Sequence, residues 1–208
     1  MGRVTRWLIL LNVCVFAIES VAADEVIARF ALWPVGRFQL ADFPGVVGFQ
    51  PWQLLTSAFL HANLTHLFLN MFALFMFGRE VERELGSKTY LFLYSAAVLS
   101  AALVQLAVVS FAAPGEPYPT IGASGGVFGV LLAFGMLFPH QRIVLLFPPI
   151  PMPAWLFVTL YGLIELTSGV IGTTSGVAHF AHLGGMLGGY LVLRHAVSMR
   201  TRSRGVRR

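Results

Sequence analysis

A single serine stands among glycines in the run Gly122-Ala123-Ser124-Gly125-Gly126-Val127-Phe128-Gly129, at the start of an apolar segment. Small neighbours allow backbone N–H donors and other helices to come close to the serine oxygen. A polar group in an apolar environment is costly unless it is hydrogen-bonded or functional. The run therefore has two interpretations: Ser124 is a nucleophile, or Gly125 and Gly129 form a small-residue face that only packs helices together.

A candidate base for this serine occurs near the other end of the chain. His182, Gly185 and Gly189 are spaced three and four residues apart, so they share one helical face. Glycines beside an imidazole let another helix approach closely, and the face that carries Ser124 is the predicted partner. Packing of the two faces would give the minimum for an activated nucleophile, a base within hydrogen-bond distance of a hydroxyl. His179 competes for the role, but the glycine spacing favours His182.

Two more polar residues share a face in an earlier apolar segment. His66 and Asn70 are four residues apart, which predicts one shared polar site, whereas His61 is interpreted as a hydrogen-bonded core residue. A zinc site formed by His61, His66, His179 and His182 is an alternative, but the sequence has no His-Glu-x-x-His pattern. A proton relay or transporter is another alternative. Against it, the only carboxylates in the apolar segments are Glu19 and Glu165, each toward a segment end.

The composition is that of a polytopic membrane protein. Of the 208 residues, 57% are hydrophobic and only 11% are charged, whereas soluble domains have about 25% charged residues. The net charge is +5 and the pI is near 10. These values do not predict a nucleic-acid partner, because the positions of the basic residues along the chain argue against one. The single cysteine, Cys14, cannot form a disulfide within the chain.

The apolar segments predict an all-α bundle of six transmembrane helices, since each is close to the ~20 residues needed to cross a bilayer. Residues 1–198 form one membrane domain and residues 199–208 a basic cytoplasmic tail. Residues 1–22 also resemble a cleaved signal, but a retained first helix is preferred. Residues 24–51 and 143–153 are predicted loops, the first lying partly in the outer leaflet. The predicted spans are 7–23, 54–77, 90–113, 121–138, 154–171 and 176–195.

The basic residues predict the orientation of these spans. With a cytoplasmic N-terminus, all fourteen lysines and arginines except Arg29 and Arg37 fall on the inner side. This distribution obeys the positive-inside rule, so both termini are predicted to be cytoplasmic. The tail arginines are then a topology signal and a contact for anionic lipid headgroups.

Taken together, three ordered motifs resemble the rhomboid intramembrane serine proteases. The motifs are His66-x-x-x-Asn70, Gly122-x-Ser124-Gly125 and Ala181-His182-x-Gly184-Gly185-x-x-x-Gly189, and the resemblance covers about residues 7–193. The segment Glu82-x-x-Leu85-Gly86 also matches a structural feature of that family.

This resemblance implies a role for each motif. Ser124 would be the nucleophile and His182 the general base, as a dyad without a third carboxylate, metal or cofactor. His66, Asn70 and the Ser124 backbone N–H would form the oxyanion hole. Gly125, Gly129, Gly185 and Gly189 would pack the two helices of the site. Two departures from the family pattern are Gln53, where an arginine is common, and Phe128, where a tyrosine commonly stacks on the histidine.

The predicted function is therefore cleavage of single-span membrane proteins within the bilayer. Such a substrate helix must unwind before its carbonyl can be attacked, so small or helix-breaking residues are favoured at the cut. The predicted location is a bacterial inner membrane. A catalytically silent rhomboid-like binder is the second hypothesis, although such relatives usually lack the serine or the histidine, and both are present here.

Overall fold

The computed structural model describes residues 2–43, 45–112, 117–144, 149–171 and 178–205, and these residues are mainly helical. The helices are α1 Arg3–Glu19, α2 Ala23–Phe30, α3 Gln53–Thr56, α4 Leu64–Ala73, α5 Arg79–Leu85, α6 Ser87–Ala107, α7 Ser124–Leu137, α8 Ala154–Ile171 and α9 His179–Gly205. A 3₁₀ turn, Ser57–Phe59, follows α3. Single π turns extend α4 over Leu74–Gly78 and α6 over Val108–Ala112.

Two antiparallel hairpins connect the helices. Strands β1 (Phe38–Gln39) and β2 (Val46–Val47) pair after α2, and β3 (Arg142–Val144) pairs with β4 (Pro151–Pro153) before α8. The predicted loop over residues 24–51 was therefore wrong in part, because α2 and the first hairpin lie within it. The predicted loop over 143–153 contains β4 and most of β3, and residues 145–148 lie outside the described part.

Long apolar helices account for only part of the predicted six-span bundle. Within the described part, Ser87–Phe111 and Ala154–Ile171 are long and apolar enough to cross a membrane. A third span results if Gln53–Phe59 and Leu64–Leu85, which are bent by 98°, are counted together. The helix α7 is apolar but has 14 residues, and α1 has 17.

The second predicted span, 54–77, was wrong as one continuous helix. The chain is extended at Asn63, whose side-chain oxygen accepts a hydrogen bond of 2.8 Å from the His66 N–H. This N-cap starts a new helix at Leu64. The new helix continues beyond the predicted end, through α5 to Leu85.

The other boundaries differ for local reasons. The first helix starts at Arg3 instead of residue 7, and the third at Ser87 instead of residue 90. Residues 121–123 precede the fourth helix, because Gly122 has φ of +130° and the helix begins at Ser124. The fifth prediction, 154–171, matches α8. The last helix continues to Gly205, into the predicted tail, while residues 176 and 177 lie outside the described part.

Buried hydrogen bonds attach the first helix to the rest of the protein. Thr5, Asn12 and Glu19 are buried. The Glu82 carboxylate accepts hydrogen bonds from the backbone N–H groups of Val4 and Thr5 and from the Thr5 hydroxyl, at 2.8 to 2.9 Å. At the other end, Glu19 accepts one from the His61 N–H. These contacts favour retention of α1 over cleavage.

The helices α6, α7 and α9 pack together around the centre of the protein. Glycines make the close approaches possible. A Cβ atom on Gly188 would lie 2.6 Å from the Ala96 carbonyl oxygen of α6, and one on Gly126 would lie 2.5 Å from the Tyr94 ring. Both distances are too short for an alanine without movement of a neighbour.

Gln53 anchors the segment that precedes α3. Its side chain is 1% exposed. The amide oxygen accepts hydrogen bonds from the Trp33 and Gln50 N–H groups, and the amide nitrogen donates to the Arg29 and Gly48 carbonyls. All the hydrogen-bonding capacity of the amide is used. The glutamine thus holds α2 and the first hairpin together through neutral hydrogen bonds, at the position where an arginine is common in the family pattern.

We expect Gln53→Leu to lower the free energy of unfolding by about 2 kcal/mol, because the buried Trp33 N–H loses its acceptor. Thermal unfolding in detergent measures the change. The matched control is Gln50→Leu, since the Gln50 side chain is exposed and such changes stay within about 0.5 kcal/mol. Equal melting temperatures for the two variants would contradict the anchoring role.

Candidate active site

Ser124 is the first residue of α7 and is held there by the preceding turn. The Gly122 N–H donates to the Ser57 carbonyl at 2.9 Å, and Thr120 pairs with Leu32 through two backbone hydrogen bonds. The first-turn N–H groups of a helix have no acceptor within the helix, so donors surround the serine. A helix N-terminus also stabilises nearby negative charge.

The imidazole of His182 lies directly against this serine. Its Nε2 is 2.8 Å from the Ser124 Oγ, a normal hydrogen-bond distance. His182 is buried, with 9% of its surface exposed, and Ser124 is half-buried. His179, the competing residue, contacts Glu165 and is not the histidine that hydrogen-bonds to Ser124.

Facing glycines bring α7 and α9 to this separation. A Cβ on Gly185 would lie 2.0 Å from the Gly125 carbonyl oxygen, and one on Gly189 would lie 2.7 Å from the Gly129 carbonyl oxygen. Both obstacles are backbone atoms, which cannot swing aside as a flexible side chain can. The spacing of serine and histidine is therefore set by backbone-to-backbone contact.

The ring of Phe128 covers one face of His182. The two ring centroids are 4.2 Å apart and the planes differ by 8°. Phe128 therefore occupies the stacking position that the sequence assigned to it, without a hydroxyl. This contact fixes the plane of the imidazole.

His66 lies beside the turn that precedes Ser124. A Cβ on Gly122 would lie 2.9 Å from the His66 Nε2 and 3.6 Å from the Ser124 Oγ, so the two side chains border the same space. The His66 Nδ1 faces the Ala62 N–H at 3.4 Å and accepts from it. Nδ1 is then unprotonated in the neutral ring, and Nε2 carries the hydrogen toward the serine.

Asn70 lies one turn further along α4. It is buried, and its amide nitrogen donates to the His66 carbonyl at 3.0 Å. An amide group has two N–H hydrogens, so one remains for another acceptor. His61 packs edge-on against His66, with centroids 5.0 Å apart, and is 1% exposed. Its burial confirms the core position, but the prediction of a hydrogen-bonded ring was wrong, because neither ring nitrogen has a hydrogen-bond partner among the described residues.

A small cavity adjoins the serine. Its volume is about 30 Å³, and Ser57, Gln105, Thr120, Gly122 and Ser124 are among the residues that line it. Most of its lining is apolar, but Ser57, Gln105, Thr120 and Ser124 offer polar groups to the one water molecule that a cavity of this size can hold.

Glu165 is the site residue that sequence reasoning missed. One oxygen, Oε2, is 2.7 Å from the His179 Nδ1 and 2.8 Å from the His182 Nδ1. The dyad pattern implied no third carboxylate, but the structure has one at the histidine. Glu165 could have been found from the sequence, because a lone carboxylate in an apolar span is a functional candidate by default.

The same three residues are the metal-compatible group in the described part of the chain. The ligand atoms of Glu165, His179 and His182 lie within 4.8 Å of one another. This group differs from the four histidines considered above, since His61 and His66 are not part of it. The nitrogen-to-oxygen separations of 2.7 and 2.8 Å are hydrogen-bond distances.

Comparison with known proteins identifies the family. Residues 48–198 match the family model described as the Rhomboid domain. The chain belongs to the rhomboid family. The resemblance stated from the sequence motifs is thereby confirmed.

Among its relatives, this rhomboid is 35% identical to Rhomboid protein 1, mitochondrial, of Saccharomyces cerevisiae, over 66% of the present chain and 40% of the yeast protein. It is 30% identical to Rhomboid protease GluP of Bacillus subtilis, over 67% of the chain and 25% of GluP. It is also 30% identical to the Putative rhomboid protease YdcA of Bacillus subtilis, over 71% of the chain and 68% of YdcA. The rhomboid thus spans less than half the length of the first two relatives.

These relatives establish a rhomboid membrane protein whose family includes proteases. Two of the three are named as proteases, and the yeast relative is named as mitochondrial. The family match covers Ser124, His182, His66 and Asn70. The names of the relatives do not single out one cellular membrane.

Proposed function

We propose that this rhomboid is an intramembrane serine endopeptidase that cleaves the transmembrane segments of single-span membrane proteins. Ser124 is the nucleophile, His182 the base, and His66 and Asn70 stabilise the oxyanion, with no metal or cofactor. The observation that carries the proposal is the 2.8 Å separation between the Ser124 Oγ and the His182 Nε2. Membership in a family with proteases supports it.

In the first half of the reaction, the Ser124 proton moves to the His182 Nε2 as the Oγ attacks the substrate carbonyl carbon. The carbonyl oxygen becomes negative and accepts hydrogen bonds from the His66 Nε2–H, the Asn70 amide and the Ser124 N–H. Loss of one such donor costs about 10²–10³ in rate. The intermediate then expels the amine, which takes its proton from His182 and leaves an ester on Ser124.

Water completes the cycle. A water molecule gives a proton to His182 and attacks the ester carbon, and the second intermediate releases a carboxylic acid while the proton returns to Ser124. The cavity of about 30 Å³ beside Ser124 has room for this one water molecule. Its size also excludes large substrate side chains, in keeping with a preference for small residues at the cut.

We further propose the membrane arrangement predicted from the sequence. Residues 1–198 form one domain with six spans, with both termini in the cytoplasm of a bacterial inner membrane and residues 199–208 as a basic tail. Four of the six spans are supported by α6, α8, the bent α3–α5 segment and the shorter apolar helix α7. The site then opens toward the outer face, where the substrate is cut.

The proposal is tested with wild-type protein in liposomes and a single-span reporter. We expect cleavage within or at the edge of the reporter's transmembrane segment, mapped by mass spectrometry, and labelling of Ser124 by a fluorophosphonate. EDTA should change neither. A reporter whose segment is all leucine is the matched control and should be cut more slowly.

Two outcomes would overturn the proposal. Folded protein that neither cleaves the reporter nor reacts with the probe would identify a rhomboid-like binder. Activity that is lost on adding EDTA and restored by a metal would assign the reaction to the Glu165, His179 and His182 group.

A further inference from the structure

Glu165 is a buried carboxylate on a helix that is otherwise mostly unburied. In α8 only Ala154, Val158 and Glu165 are buried, and the exposed residues are mainly large and apolar. A carboxylate inside a span is costly unless it is paired and hydrogen-bonded. Among the described residues, its hydrogen-bond partners are the two imidazoles of α9. The carboxylate is thus directed at the site and away from lipid.

The hydrogen bonds of Glu165 determine which ring nitrogen of the neutral His182 is protonated. An ionised carboxylate only accepts hydrogen bonds, so the Nδ1 atoms of both His179 and His182 must donate. A neutral His182 with its hydrogen on Nδ1 has its lone pair on Nε2. That atom is 2.8 Å from the Ser124 Oγ, where a base must accept the proton.

The stacking contact of His182 with Phe128 does not determine the tautomer of the imidazole. Stacking on Phe128 fixes the ring plane, with 8° between the planes. A stacked ring has the same face whether the hydrogen is on Nδ1 or Nε2, so stacking does not select a tautomer. Glu165 contacts the ring edge opposite Ser124 and does select it.

We propose that Glu165 is a positioning residue that holds His182 with its hydrogen on Nδ1 and its Nε2 facing Ser124. The inference rests on the proposed protease function and adds a third group to it. His179, on the same carboxylate oxygen, keeps Glu165 in place. The Glu165–His182–Ser124 chain then works as orienting carboxylates do in soluble serine proteases, without Glu165 receiving the proton.

The decisive variant is Glu165→Gln, which keeps the size of the side chain and can place an N–H against the His182 Nδ1. We expect kcat to fall by about 10²–10⁴, since an amide in place of the orienting carboxylate favours the wrong tautomer. KM for the reporter should change little, because Glu165 does not contact the substrate. Labelling of Ser124 by the fluorophosphonate should slow in parallel with kcat.

The spectroscopic readout is the tautomer of His182, measured by ¹⁵N NMR on the full-length labelled protein. Wild type should carry the hydrogen on Nδ1, and Glu165→Gln should shift it to Nε2. The matched control is Glu19→Gln, another buried carboxylate in a span, which contacts the His61 N–H and can still accept from it as an amide. The control should keep the wild-type tautomer and rate.

A purely structural role predicts a different pattern. If Glu165 only anchors α8, His179→Asn should reduce kcat as much as Glu165→Gln, and both should lower the melting temperature equally. Positioning predicts that His179→Asn keeps the Nδ1 hydrogen on His182 and loses at most about tenfold in kcat. If Glu165→Gln folds poorly, the wild-type protein still tests the proposal, because a His182 hydrogen on Nε2 in the wild type would overturn it.

The two proposals can fail separately. A wild type that cleaves the reporter, with Glu165→Gln within about threefold of its kcat and with the same His182 tautomer, would overturn the role of Glu165 alone. A wild type that neither cleaves nor labels would overturn the protease function. In that case the tautomer measurement still tests whether Glu165 holds His182 in this form.

Discussion

Ser124→Ala should abolish cleavage of a transmembrane reporter, with a loss in kcat of about 10⁶-fold, as for other serine proteases stripped of their nucleophile. The reason is that no covalent ester can form once the Ser124 hydroxyl, which is hydrogen-bonded to His182, is removed. Liposome cleavage assays with the purified variant measure the loss. The matched control is Ser20→Ala, because the exposed Ser20 hydroxyl donates only within the α1 end, to the Ala17 carbonyl.

The double variant Ser124→Ala with His182→Ala tests whether the two residues act as one unit. If the two residues act as one unit, removal of both should cost about as much as removal of either, since their effects are not additive. Wild-type activity in Ser124→Ala would eliminate the proposed mechanism. Losses that multiply in the double variant would show that the two side chains act independently.

Gly185→Ala should reduce both the stability of the protein and its cleavage activity. The added methyl group would lie 2.0 Å from the Gly125 carbonyl oxygen, so α7 and α9 must separate. We expect a loss of about 1–3 kcal/mol in the free energy of unfolding from overpacking. Cleavage should fall by about 10²-fold, because a shift of about 1 Å in a reacting pair has that effect.

A second glycine provides the control for this variant. A Cβ on Gly162, in α8, would lie 3.4 Å from the methyl carbon of the flexible Met186 side chain. Gly162→Ala should therefore keep the wild-type melting temperature and cleavage rate. A Gly185→Ala variant as active as Gly162→Ala would contradict the view that glycine contact sets the spacing of Ser124 and His182.

Short-range signals in the sequence were enough to predict the helix faces at the site. Glycine spacing indicated that the segments of Ser124 and His182 approach each other, and the structure has the two helices in contact at Gly125 and Gly185. The spacing works because a glycine face has few uses other than close approach. The family could also be predicted from the sequence, since three motifs in the right order indicated it.

Contacts between distant segments could not be predicted in the same way. Glu165 and His182 are 17 residues apart, and nothing in their spacing reveals that α8 turns the carboxylate toward α9. The break before α4 was missed because apolar content dominated the interpretation of residues 54–77, while the Asn63 cap is a single polar side chain. The sequence marked Gln53 only as a departure from the family pattern, and its role as an anchor is evident from its four hydrogen bonds.

The contact of Glu82 with the start of α1 has a consequence for biosynthesis. The N–H groups of Val4 and Thr5 belong to the first turn of a helix, and they donate hydrogen bonds to the carboxylate of Glu82, which lies 77 to 78 positions later. During translation, α1 reaches the membrane long before Glu82 has been synthesised. The first turn of α1 is therefore completed only when α5 emerges, so this helix receives its cap well after its own synthesis.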